Sequence, residues 1–135
     1  MSPSQQERRF KKQYARELLA IAEQDWKTAQ FLLEGWDRIR TENYFFTVQQ
    51  CLEKVIKAVL VHLELPVPLV HDLGILLAKV PRSQEPPFGY EIGALSEFAA
   101  VRRYEEGSLV WNREEADEAL ELGLRALDWA RRVLE

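Results

Sequence analysis

The chain has 135 residues, within the usual size of one domain and long enough to enclose a core. Its 47% apolar and 30% charged content is ordinary for a globular protein, and no apolar run approaches the roughly 20 residues that span a bilayer. A net charge of −4 argues against a bulk nucleic-acid coat, which needs a basic footprint. The charge is uneven, however. Arg8, Arg9, Lys11, Lys12 and Arg16 against Glu7 give the first 16 residues a balance of +4 and leave −8 for the remainder. Residues 1–13 therefore read as a basic N-terminal extension, and 14–135 as a single helical domain. The five basic residues suit the solvated start of a first helix, with a phosphate-contacting arm as the alternative. The N-terminus lacks the apolar segment of a secretory leader, and the single cysteine, Cys51, cannot form an intramolecular disulfide. Both features point to a reducing, cytoplasmic setting.

The first predicted helix covers about 14–34, from apolar residues at 14, 18, 21, 22, 26, 29, 32 and 33, and stops at Gly35. Thr41 or Asn43 is placed to cap the second, which runs to about Leu63 and ends before Pro66 and Pro68. A short third helix follows over 71–80, on Leu73, Leu76, Leu77 and Val80. Prolines 81, 86 and 87 make the next stretch a loop. A fourth helix is predicted over 91–104, and a fifth over 112–134 with Asn112 as its cap. No period-2 alternation persists, so the expected fold is all-α, an antiparallel up-and-down bundle of about five helices. The second helix is apolar on nearly every side, which means burial on nearly every side. In so small a bundle this predicts dimerisation through that helix or its partners.

The polar residues of that helix repay attention. Gln50, Glu53, Lys54 and Lys57 follow i, i+3, i+4, i+7 spacing and form one stripe. As a solvated face, Glu53 and Lys57 make an ordinary i,i+4 pair; as the wall of a cleft, the lysines would bind anions. Asp25 lies on the apolar side of the first helix between Ala22 and Ala29, where a carboxylate needs a partner. Lys54, Lys57, Arg102 and Arg103 are the candidates. His71 and Asp72 open the third helix. His62 and His71 have no zinc spacing, the glycines are scattered, and no serine sits in a nucleophile elbow, so neither metal nor cofactor is expected.

The run Gln49-Gln50-Cys51-Leu52-Glu53-Lys54-Val55-Ile56-Lys57-Ala58, followed by Pro66-x-Pro68 and His71-Asp72-Leu73, resembles the HEPN domain, a nucleotide-binding domain of prokaryotes and higher eukaryotes. Asp25 and Arg103-Tyr104 are similar to the same pattern, and the resemblance covers about residues 14–134. It implies a helical bundle that forms a homodimer, binds a nucleotide, and partners a minimal nucleotidyltransferase in some toxin–antitoxin pairs. Lys54, Lys57 and Arg103 are then the expected phosphate contacts. Glu53 and Asp25 would position those cations, Gln50 and His71 would complete the polar wall, and Tyr104 would stack or hydrogen-bond. Many relatives are metal-independent ribonucleases with an arginine followed four to six residues later by a histidine. Here Arg103 is followed by Tyr104, Glu105, Glu106, Gly107 and Ser108, and no histidine lies downstream. RNA cleavage needs a group that moves protons near neutral pH. The expectation is therefore a non-catalytic binding module, with a ribonuclease using His71 and Arg103, or a purely structural assembly protein, as alternatives.

Overall fold

The computed structural model describes residues 4–89, 91–93, 95 and 111–135. Among these there are four α-helices and no strand: α1 (Gln5–Glu34), α2 (Thr41–His62), α3 (Leu73–Ala78) and α4 (Arg113–Leu134). Two short 3-10 turns, Trp36–Arg38 and Arg82–Gln84, lie in the connections. The all-α bundle is as expected. Of the helix predicted over 91–104, only 91–93 and 95 fall among the described residues, with Ile92 and Leu95 buried; the rest, including Arg102, Arg103 and Tyr104, lies outside them.

Helix α1 begins nine residues earlier than its apolar rhythm suggested, and the reason is a capping box. Ser4 Oγ accepts from the Glu7 amide at 3.1 Å, while Glu7 Oε2 accepts from the Ser4 amide at 3.3 Å. The basic residues from Arg8 to Lys12 are thus the first turns of α1. At α2 the expected cap is corrected. Arg40 is the N-cap, its side chain turned to Glu42 rather than capping the helix, Thr41 is already helical, and the Asn43 amide bonds the Arg40 carbonyl. Helix α3 is shorter than predicted and starts after Asp72, whose carboxylate accepts from the Ile75 amide at 2.9 Å. Asn112 caps α4 as expected, in a reciprocal box with Glu115.

Helix α2 ends in a Schellman motif: the Glu64 amide reaches the Val61 carbonyl and the Leu65 amide reaches Leu60. Glu64 takes the left-handed position, at φ 59°, that glycine usually fills.

Helix α2 is the centre of the bundle and packs against α1, α3 and α4. Tyr44, Phe45, Val48, Leu52, Val55, Ile56, Val59 and Leu60 are all at most 1% exposed. Cover for these α2 residues comes from within the chain, so their burial does not by itself call for a second copy. Helix α1 runs antiparallel to α2, since Asp25 meets Lys54 and Arg8 reaches Glu64. It is also antiparallel to α4, with Trp26 donating to the Leu120 carbonyl at 2.8 Å and Glu23 lying 3.4 Å from Arg131. Gly123 makes the α1–α4 approach possible, because a Cβ there would stand 2.9 Å from the Trp26 ring. The buried Tyr44 hydroxyl donates to the Ala116 carbonyl and ties α2 to α4.

Candidate functional site

The polar residues of α2 fall into two rows rather than one stripe. Gln49, Glu53 and Lys57 repeat at i, i+4, i+8 and turn toward the segment ahead of α3. Gln50 and Lys54 form the neighbouring row, and Lys54 turns toward α1. The two rows have different surroundings. Glu53 is 5% exposed and Gln49 fully buried, whereas the Lys54 and Asp25 side chains keep about a quarter of their surface.

Glu53 is the hub. Its Oε1 accepts from Gln49 Nε2 at 3.1 Å and lies 2.8 Å from His71 Nδ1; its Oε2 takes Lys57 Nζ at 3.3 Å. Burial pushes its carboxyl up, but the hydrogen bonds from His71 and Gln49 and the charge of Lys57 outweigh burial and hold it below the usual range. An ionised carboxylate only accepts, so the His71 ring must carry its hydrogen on Nδ1. Nε2 is then the remaining polar atom of a side chain that is 65% exposed. Gln49 closes the arrangement from beneath. Its amide also donates to the His71 carbonyl at 3.1 Å, and its oxygen accepts from Gln50 at 2.8 Å. The reading of Glu53 and Lys57 as an ordinary solvated pair is therefore corrected, because the glutamate is inside.

Asp25 finds Lys54 at 2.5 Å, one of the four cations considered for it. Of the eight candidate residues, Lys57 and His71 thus meet on the Glu53 carboxylate, Gln50 joins them through Gln49, and Asp25 and Lys54 pair beside them. Arg103 and Tyr104 lie outside the described residues. Sequence reasoning missed Gln49, which is buried more deeply than any of these. The signal was its i,i+4 spacing to Glu53 on a helix with no other reason to bury an amide.

Chemically, the site is a cluster of cations and N–H donors organised by one buried carboxylate. No group of three or more His, Cys, Asp or Glu side chains able to hold a metal occurs among the described residues. The Cys51 thiol is buried and pushed up to about 12, first by burial and then by the charge of Asp25, which makes it a poor nucleophile. No helix among the described residues is long and apolar enough to cross a membrane.

Comparison with known proteins agrees with the motif. The HEPN domain family model matches residues 15–133, nearly the whole of the helical region. The chain belongs to the HEPN domain family. Searches among curated proteins and among solved structures returned no match.

Proposed function

We propose that this HEPN-type chain is a non-catalytic binding module. Its ligand is a nucleotide, or a nucleotidyltransferase handling one, in the manner of a toxin–antitoxin pair, and it works as a homodimer. The observation that carries this reading is the His71–Glu53–Lys57 cluster. A buried carboxylate fixes an exposed imidazole and a lysine side by side. With Nδ1 committed to Glu53, His71 presents Nε2 to a ligand, and when protonated it adds a second cation beside Lys57. Fixing both groups in advance lowers the ordering cost of binding a phosphate.

Titration of the full chain with ATP, GTP and AMP, followed by amide chemical shifts, tests it. Shifts should centre on 49–57 and 71–73, and His71→Ala should weaken binding roughly tenfold, about 1.4 kcal/mol. The same substitution removes one of the hydrogen bonds that hold the buried Glu53 carboxylate, so about 1 to 2 kcal/mol of stability should go with it, and binding is compared at a temperature where both chains are folded. No shift with any nucleotide, and no capture of a co-expressed minimal nucleotidyltransferase, would end this reading.

A structural role is the second reading, and one observation favours it. Lys54 and Lys57 are both engaged in ion pairs, which reduces their charge toward an anion. Lysines that serve only packing would leave nucleotide titrations blank while their replacement lowers stability. The ribonuclease alternative predicts metal-independent cleavage of single-stranded RNA that His71→Ala abolishes; the binding reading predicts none.

A further inference from the structure

Large apolar side chains that remain in water are concentrated on one helix. Phe10, Tyr14, Ile21 and Phe31 of α1 are 69, 45, 49 and 74% exposed. Phe10, Ile21 and Phe31 are spaced by 11 and 10 residues, each about three turns, so they run along one side of the helix for roughly 32 Å. Tyr14, one turn from Phe10, joins them. The row is nearly symmetric about Ile21. Turning the helix end for end sets Phe10 opposite Phe31.

Four of the charges beside the row share that symmetry; Lys27, on the same flank, instead stays with Glu23 of its own helix. Arg9, Arg16 and Glu23 follow each other at seven-residue steps, and Glu34 comes three turns after Glu23, so all four lie along one flank. When two such helices pack antiparallel about a two-fold axis, like flanks meet. Arg9 then faces Glu34 of the second copy and Arg16 faces Glu23, on nearly the same centre as the apolar row. Glu23 has Arg131 at 3.4 Å and Lys27 at 3.9 Å within its own chain, but these are surface pairs weak enough to be shared. Glu17 lies within the row, and the two-fold that sets Phe10 opposite Phe31 sets it opposite Gln24, a hydrogen-bond donor that a lipid surface would not offer the carboxylate.

We propose that α1 is the face through which two copies of this chain pair, antiparallel along Phe10, Ile21 and Phe31, with Arg9–Glu34 and Arg16–Glu23 bridges at its edge. The inference rests on the homodimer reading above and gives it a surface. A two-fold contact must be self-complementary, and both the apolar row and the charged flank of α1 are. The row is narrow, which places the interface at the small end of specific contacts, with dissociation on the order of micromolar.

Sedimentation of the full chain from about 1 to 200 μM spans that range and tests the proposal. A concentration-dependent dimer is expected. Ile21→Glu should weaken it at least tenfold with an unchanged helical spectrum, the side chain being exposed. Arg16→Glu should weaken it, and adding Glu23→Arg in the same chain should restore it. Ile21→Cys, close to the two-fold axis, should form a disulfide-linked dimer under mild oxidation; Cys51 is buried and does not compete. A dimer untouched by Ile21→Glu overturns this face while leaving the homodimer reading standing. Monomer alone at the highest concentration overturns both. Loss on Arg16→Glu without rescue by the double swap overturns the antiparallel pairing.

Discussion

Helices α1 and α2 are mirror exceptions to the usual distribution of residues. Helix α2 buries a carboxylate and an amide, Glu53 and Gln49, in an otherwise apolar centre. Helix α1 leaves two phenylalanines, a tyrosine and an isoleucine in water. The physics of the two differs. A buried polar group must find specific partners inside the chain, so it commits the fold to one arrangement and makes that arrangement costly to disturb. An exposed apolar row has nothing to satisfy, so it costs the folded chain little and acts only when a second surface arrives. Stability should therefore be sensitive at Glu53 and indifferent at Ile21, while association should show the reverse.

The largest effect should come from Glu53→Ala. It leaves Lys57 and His71 Nδ1 without their shared acceptor and strips the buried Gln49 amide of one of its two, and a loss of about 3 kcal/mol is expected, read from the urea midpoint. A loss below about 1 kcal/mol would mean that water satisfies these groups and that the hub is not structural.

Acid titration sharpens the same point. Because the folded carboxyl of Glu53 lies below its ordinary value of 4.5, the unfolded state binds its proton first as pH falls. Its stabilisation is complete above 4.5 and is lost as pH drops through the lower folded value. His62 adds an earlier loss. Burial, then Lys12 and Arg16, hold its ring below 6.5, so the unfolded state also gains that proton first and stability declines as pH falls through 6.5. Denaturation curves between pH 7 and 3 should show both limbs, with Glu53→Gln flattening the lower and His62→Gln the upper.

A smaller effect is expected at the neighbouring pair. Lys54→Met breaks the bridge to Asp25 where both side chains are about a quarter exposed, and about 1 kcal/mol or less should be lost. The smallest change in stability should be that of Ile21→Glu, within about 0.5 kcal/mol, measured at concentrations where the chain is monomeric. A large loss there would show that the α1 row supports the monomer's own packing.

Much of this was legible along the chain. The 3.6-residue rhythm marks α2, the α1 core positions Ala22 and Ala29, and α4 with its Asn112 cap, because the helix period and its caps depend only on near neighbours. The polar set of Glu53, Lys54, Lys57 and His71 could be named from their placement and family motif alone. The start of α1 was also written in the sequence, in Ser4-x-x-Glu7, but its apolar rhythm sets in later than its hydrogen bonding. The division of α2's polar residues into two rows was not legible. Spacing puts Gln49 and Gln50 on adjacent diagonals without saying which diagonal turns inward.

What the sequence by itself determined is an all-α chain with a buried second helix, a polar set upon it, and membership of a family carried by local motifs. What the tertiary structure decided is pairing. Asp25 had four possible cations and took Lys54, 29 residues away; Glu53 took His71, 18 residues away, as well as Lys57 on its own helix. The structure also showed that α2 is covered from within and that α1 carries the exposed row. The reason is common to all of these. Partners across a bundle are chosen by how helices cross and which faces they turn inward, and that geometry is a property of the whole packed chain.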